Sequence, residues 1–313
     1  MGLDNKFKGN ERIGEERYNY NGLLMRITGY RNRKDIDVYF PEFDWTYYNS
    51  NYDNFKSGKI KCKVEHRNEQ SYNSFGSLMI IQDYRKSVDI DVYFPEFDWV
   101  YEHARYEKFK SGALSCPYEP RNHGVGYIGE GPYRSSQNHI HTRVYDIWNH
   151  MLDRCYSKSN VEKYPTYVDC WVCEEWLNFQ NFAKWYESNY YEIPGERMEI
   201  DKDILYKGNK VYSPETCVIV PHNINTLFIK SDDCRGTLPI GVNYDDRYDT
   251  YNAHCNDHGE LIWLGSFKTV DNAFITYKIY KEQLIKNMAE EYKYYIPEIL
   301  YNAMINYKVE IDD

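Results

Sequence analysis

Residues 22–62 align without a gap to residues 76–116, at a period of 54, and 24 of the 41 pairs are identical. A chain that repeats itself this closely must fold the two stretches alike, so any architecture for it contains the same small module twice. The core of the repeat, DIDVYFPEFDW, occurs at 35–45 and again at 89–99. Each copy runs from a glycine into an apolar strand (Leu24, Met25 and Ile27; Leu78, Met79 and Ile81), a Tyr-Arg turn and the DIDVYF strand. In that strand Asp35 and Asp37 alternate with Ile36 and Val38, the period of two that marks a half-buried strand. An aromatic segment and Phe-Lys-Ser-Gly close the copy. Two copies are too few to stack into a solenoid. Tandem, mostly β modules over 1–65 and 66–118 are therefore expected, with Phe40, Phe43 and Trp45 and their counterparts Phe94, Phe97 and Trp99 as core. Arg31 and Arg85, beside Tyr30 and Tyr84, are the residues in the repeats that could meet phosphate and base.

The pattern then changes. Residues 119–142 are rich in Gly, Pro, Asn and Ser and read as a linker or extended arm. From 143 to 156, Tyr145, Trp148, Met151, Leu152 and Cys155 recur at helical spacing, and Trp176, Phe179, Phe182, Trp185 and Tyr186 do the same over 174–188. These two helices are expected to pack against a hairpin within 199–220. Three short strands follow at 240–244, 251–255 and 261–267, then a long helix from about Val270 and a helical segment over 296–307. The fold class is thus α+β and multidomain: two tandem modules, a domain over 143–232, and a three-stranded sheet with helices over 233–313.

Charge limits the partners. The chain carries 48 acids against 38 Lys and Arg, a net charge of −10. The sum is about +2 over 1–65 but about −7 over 231–313. Non-specific affinity for nucleic acid comes mostly from neutralising phosphates, so DNA binding here must use small basic faces on an acidic body. No run of 18 apolar residues exists and the first residues lack a secretory apolar segment, so a cytoplasmic protein without a membrane partner is expected. Met1-Gly2 is followed at position 6 by Lys where a myristoylation signal wants Ser or Thr.

The stretch 199–225, EIDKDILYKGNKVYSPETCVIVPHNIN, runs from a strand ending in Asp201 and Asp203 through a polar loop to a Val/Ile-rich strand and a segment bearing His222 and Asn225. This order resembles the ββα-metal site of HNH endonucleases, in which a strand acid or His and a helix Asn or His hold one divalent cation while an imidazole activates water. The resemblance implies Asp201, Asp203 and Asn225 as ligands for Mg2+ or Mn2+, with Asp201 and His222 as catalytic groups. It also puts Asp201 where the family carries its histidine. An ordinary Asp titrates near 3.9 and His near 6.5, so the exchange weakens proton acceptance at neutrality. A degenerate fold kept for binding is the competing reading. Cys170 and Cys173 have ligand-like spacing, and Cys155 and Cys217 could complete a zinc set. Trp171-Val172 between them reads as strand, which favours reduced, packed thiols over zinc.

The segment 236–285 resembles the APETALA/ERF type of DNA-binding domain through Ile240-Gly241-Val242, Tyr251-Asn252-Ala253, Leu264-Gly265-Ser266-Phe267, Thr269, Ala273 and Tyr277. That family lays a three-stranded sheet into the major groove. The resemblance nominates Arg235, Arg247, Tyr248, Tyr251 and His254 as DNA contacts. The whole arrangement looks like proteins of bacteriophages and other mobile elements. Its implied partner is double-stranded DNA, cut by an HNH or homing-type endonuclease. The alternatives are an inactive DNA-binding regulator, or an acidic anti-defence protein that occupies a host nuclease.

Overall fold

The computed structural model describes residues 10–64, 66–164, 167–229, 237–311 and 313. The protein mixes helices with several small sheets and divides into two compact units, Met1–Glu119 and Pro120–Asp313. Among the described residues no helix is long and apolar enough to cross a membrane.

The first unit contains the repeat. Strands β1 (Glu16–Tyr18), β2 (Leu24–Asn32), β3 (Asp35–Phe40) and β4 (Trp45–Ser50) form an antiparallel meander in sequence order, followed by α1 (Tyr52–Lys56). Strands β5 (Gln70–Tyr72), β6 (Leu78–Lys86), β7 (Asp89–Phe94) and β8 (Trp99–Ala104), with α2 (Tyr106–Lys110), repeat the plan. The alternation in DIDVYF is realised directly: Ile36, Val38 and Phe40 are fully buried, and so are Ile90, Val92 and Phe94. Each such side chain contributes about 1.5–3 kcal/mol by leaving water. Phe43 and Trp45 pack at the margin of the first core, Phe97 and Trp99 at that of the second.

The structural repeat begins earlier than the aligned segment. Asn19 and Asn73 occupy equivalent positions and both are buried. Asn19 Oδ1 accepts from the backbone N–H of Asn21 and Leu23, while its Nδ2 donates to the Ile60 carbonyl. Asn73 makes the same three bonds, to Phe75, Ser77 and Leu114, and also donates to Glu119. One side chain thus closes the β1–β2 turn and ties it to the end of its module.

The second unit opens with the segment read as a linker, and it is packed chain. Val125, Ile128 and Tyr133 lie against a core, and Gln180 donates to the carbonyls of Ile128 and Tyr133. A small hairpin of β9 (Ser136–Gln137) and β10 (Ile140–His141) leads into α3 (Arg143–Tyr156), capped by Thr142. After α4 (Lys158–Lys163) come β11 (Trp171–Val172), α5 (Glu174–Leu177) and α6 (Phe179–Asn189). Trp148, Met151, Leu152 and Cys155 of α3 meet Trp176 and the Phe179, Phe182 and Tyr186 face of α6.

Against this core lies β12 (Met198–Asp201), paired antiparallel with β14 (Val218–Pro221), while β13 (Val211–Tyr212) pairs with β11. Met198, Ile200 and Ile219 join the α3–α6 core. Val218 and Val220 point the other way, into a second core with Ile224 of α7 (His222–Thr226). That second core also holds the sheet of β15 (Val242–Asp245), β16 (Thr250–Asp257) and β17 (Glu260–Phe267), with α8 (Val270–Tyr292) and α9 (Glu298–Ile305). Gly241 enters this sheet with φ +76°, and a Cβ there would lie 2.1 Å from the Tyr277 ring. Both the backbone angle and the close approach require glycine.

Asn19→Ala and Asn73→Ala should each lower unfolding stability by about 2–4 kcal/mol, because each leaves buried backbone groups without partners. Denaturant titration of the full chain measures this, and a loss below about 1 kcal/mol would show that water replaces the side chain.

Candidate functional site

The site is built where β12, β14 and α7 meet. The register pairs Glu199 with Val220 and Asp201 with Val218, so Glu199 and Asp201 share the face opposite Met198 and Ile200. They lie two residues apart along the strand, about 6.6 Å, and do different things.

Glu199 gathers the helix. Its Oε2 accepts from Asn225 Nδ2 at 2.6 Å, and its Oε1 lies 3.0 Å from His222 Nδ1. Arg197 also pairs with this carboxylate. Burial pushes the Glu199 carboxyl up, but the bonds from Asn225, Arg197 and His222 outweigh it and hold the group below its usual range. The start of α7 is fixed independently: His222 N–H donates to the Arg197 carbonyl at 2.8 Å, and Asn223 donates to Glu196 at 2.8 Å. His222 keeps 44% of its side chain exposed.

Asp201 turns inward. Its Oδ1 accepts from the N–H groups of Asp203 and Ile204 at 2.8 and 2.7 Å, which closes the turn after β12. Burial raises its carboxyl above the usual range against the lowering effect of those two amides. Asp203 is engaged by Lys202, whose buried Nζ also donates to the Asn209 carbonyl. His222 and Asn225 therefore converge with each other, on Glu199, while Asp201 and Asp203 serve the loop. Sequence reading passed over Glu199. The pairing of Met198 with Pro221 brings the next outward residue beside the first turn of α7, and that register has no signal in residue type.

Among the described residues no group of three or more His, Cys, Asp or Glu side chains is placed to hold a metal ion. Asn225 turns its Nδ2 to Glu199, so the oxygens left to a hard cation such as Mg2+ are Asn225 Oδ1 and a carboxylate already shared with Arg197 and His222. Cys155, Cys170 and Cys217 are buried in the α3–α6 core with Cys173 at its margin. Burial pushes the Cys155 and Cys217 thiols up to about 12, which keeps them protonated.

The residues nominated for DNA stand in different situations. Arg31 forks onto Asp35 and Asp37 at 2.8 and 2.6 Å, and Arg85 onto Asp89 and Asp91 at 2.7 and 2.6 Å. Arg247 pairs with Asp245 at 2.9 Å. Tyr248 is exposed, and Tyr251 packs against the second core. His254 lies opposite Trp263 on the outer face of the sheet, next to the row Asn243, Asn252 and Ser266. Trp263 and Leu261 are exposed there, a pair that sequence reading did not single out. Arg235 falls outside the described residues.

Asp201→Asn keeps an Oδ1 for both amides and removes a buried charge. A raised folded pKa means that the native state favours the protonated acid, so wild-type stability from this group falls as pH climbs past the unfolded value near 3.9. Asp201→Asn should therefore match or exceed wild-type stability at pH 7, whereas Asp201→Ala should cost about 1–3 kcal/mol. Chemical denaturation at pH 4 and pH 7 tests both, and an Asn variant as damaged as the Ala variant contradicts the assignment.

No protein-family model, no curated protein and no solved structure matches this chain.

Proposed function

We propose that the protein binds double-stranded DNA and hydrolyses a phosphodiester at the Glu199–His222–Asn225 cluster, with Mg2+ or Mn2+ as cofactor. The observation that carries this reading is the division of one carboxylate: Oε2 faces Asn225, and Oε1 faces His222 Nδ1. Glu199 and Asn225 would hold the cation, which supplies charge stabilisation to the leaving oxygen. Glu199 orients the imidazole of His222 by accepting a hydrogen bond from Nδ1–H, which leaves Nε2 to accept a proton from water. Asp201 positions the loop and takes no part in the chemistry.

The DNA surface in this reading is the outer sheet face. Asn243, Asn252 and Ser266 present donors and acceptors there, and Trp263 and His254 present rings. Arg31 and Arg85 are poor phosphate contacts, because their donors are already spent on paired aspartates. Such neutralised arginines, with the net charge of −10, favour the second reading: a non-catalytic protein bound to a host nuclease in place of DNA. An origin in a bacteriophage or other mobile element accords with either reading.

Plasmid nicking in Mg2+ or Mn2+ should fall by about 100-fold or more in Glu199→Gln, His222→Ala and Asn225→Ala, and survive in Asp201→Asn. If the wild-type chain cuts nothing over a panel of divalent metals and DNAs, the hydrolase reading is lost. Binding to duplex DNA should weaken with salt. Trp263→Ala and His254→Ala should weaken it at fixed salt, while Arg31→Ala and Arg85→Ala change it less than about twofold. A salt slope of zero transfers the case to the protein-partner reading.

A further inference from the structure

A groove of about 1370 Å3 runs beside α7, along β15 and the end of β16, to α8. In a chain with 48 acids, no carboxylate lines it among the described residues. Its polar lining includes the imidazoles of His254 and His258, the amides of Asn243 and Asn256, and the ammonium of Lys281.

Lys281 is the unusual member. It lies on α8 among Leu284, Ile285 and Tyr277, is only 9% exposed, and makes no hydrogen bond or ion pair among the described residues. Burying an ammonium without an acceptor costs free energy that the fold could avoid with an apolar side chain of the same length. Burial accordingly lowers its pKa, partly opposed by Cys255 and Asp257. Asp257, the nearby acid, forms no ion pair with Lys281: its Oδ2 takes the Tyr280 hydroxyl at 2.8 Å, and its buried Oδ1, 3.6 Å from His258 Nε2, has no hydrogen-bond partner among the described residues. A cation held in the wall of a groove whose described lining carries no acid is suited to an anion arriving from outside.

We propose that this groove binds the phosphate of a nucleotide, with Lys281 as its cation. The amides of Asn243 and Asn256 offer both donors and acceptors, as the edge of a base requires, and Leu227, Ile240 and Leu261 supply apolar wall for its ring. The volume exceeds the roughly 300–1,000 Å3 common for small-ligand sites, so a nucleoside phosphate fits with room for a second unit. The phosphate has two sources, a free nucleotide or one strand of DNA. Lys281 lies outside the Glu199 cluster, although the groove shares His222 with that cluster and Asn243 and His254 with the outer sheet face, so a loss of hydrolysis leaves the Lys281 test standing.

Calorimetric titration of the full chain with inorganic phosphate, thymidine 5′-monophosphate and a short oligothymidylate tests the proposal. The mononucleotide or the oligonucleotide should bind, more tightly than inorganic phosphate, and Lys281→Met should weaken that binding at least about tenfold. Because the variant removes an unpaired buried charge, its melting temperature should equal or exceed that of wild type. Oligonucleotide affinity well above that of the mononucleotide assigns the site to a strand, and equal affinities assign it to free nucleotide. Absence of binding by both, or binding unchanged in Lys281→Met, overturns the proposal. A lowered melting temperature in Lys281→Met also counts against it, since it would make the lysine a structural partner of Asp257.

Discussion

Strand β14 is buried on both faces, and the second unit is organised around that fact. Ile219 faces the α3–α6 core, while Val218 and Val220 face the core shared with α7, the C-terminal sheet and α8. A strand walled in on both sides reads as a continuous apolar run, which here is Cys217 to Pro221. Its partner β12 buries Met198 and Ile200 on one face, and on the other it sets Glu199 beside Val220 and Asp201 beside Val218. The chain leaves β14 at Pro221 and turns at once into α7, so His222 and Asn225 are delivered to the outward position of β12 nearest the helix. Register decides which acid they meet. A slip of two residues would have handed them Asp201.

The same economy governs the charges of the first unit. Each Arg31 or Arg85 fork joins two β3 or β7 aspartates that alternate with buried Ile and Val, and the second aspartate also accepts a backbone N–H from the following strand: Asn49 to Asp37, His103 to Asp91. Those two donors sit at φ 56° and 55°, in the left-handed region that a side chain enters only at some cost. The fork and the bend thus support each other. Exposed ion pairs contribute little singly, but one arginine shared by two carboxylates fixes a strand edge and leaves a net negative surface. The duplicated aspartates are therefore explained by local architecture, and the arginines in their midst are explained with them.

Much of this was legible in the sequence. The repeat predicts its own strands, because Ile36, Val38 and Phe40 alternate with Asp35, Asp37 and Tyr39, and Met25 and Ile27 keep the same period in the strand before them. The helices over 143–156 and 174–188 follow from Trp148, Met151, Leu152 and Cys155 and from Phe179, Phe182 and Tyr186, although Asn178 breaks the second into α5 and α6 by capping the latter. The segment 119–142 was misleading in composition. Its glycines approach Asn178 and Gln180 too closely for a Cβ, so Gly129 and Gly131 mark packing here, where such residues elsewhere mark solvent-exposed turns. The site was half legible. His222 and Asn225 are visible as helix residues after a strand, but the acid they contact depends on a pairing register between segments twenty residues apart, and an Asx-type turn at Asp201 is indistinguishable by residue type from a ligand.

Two features of the second unit share a physical logic. At Glu199 one acid receives more donors than it needs, from Arg197, His222 and Asn225, and its charge is stabilised where part of the site stays open. At Lys281 a cation receives no acceptor among the described residues, and burial destabilises its charge in a wall whose described lining contains no acid. Neither arrangement is what folding alone would select, since an apolar residue at 281 and a smaller polar residue at 199 would satisfy the neighbouring cores. The asymmetry accords with the phosphate-bearing partner proposed above: a carboxylate set among hydrogen-bond donors, and a cation with no acceptor among the described residues. Both lie in the unit that contains α7, whose His222 belongs to the cluster and also to the wall of the groove. A ligand entering that groove would therefore be felt at the first turn of α7, through a helix of five residues pinned by Glu196 and Glu199.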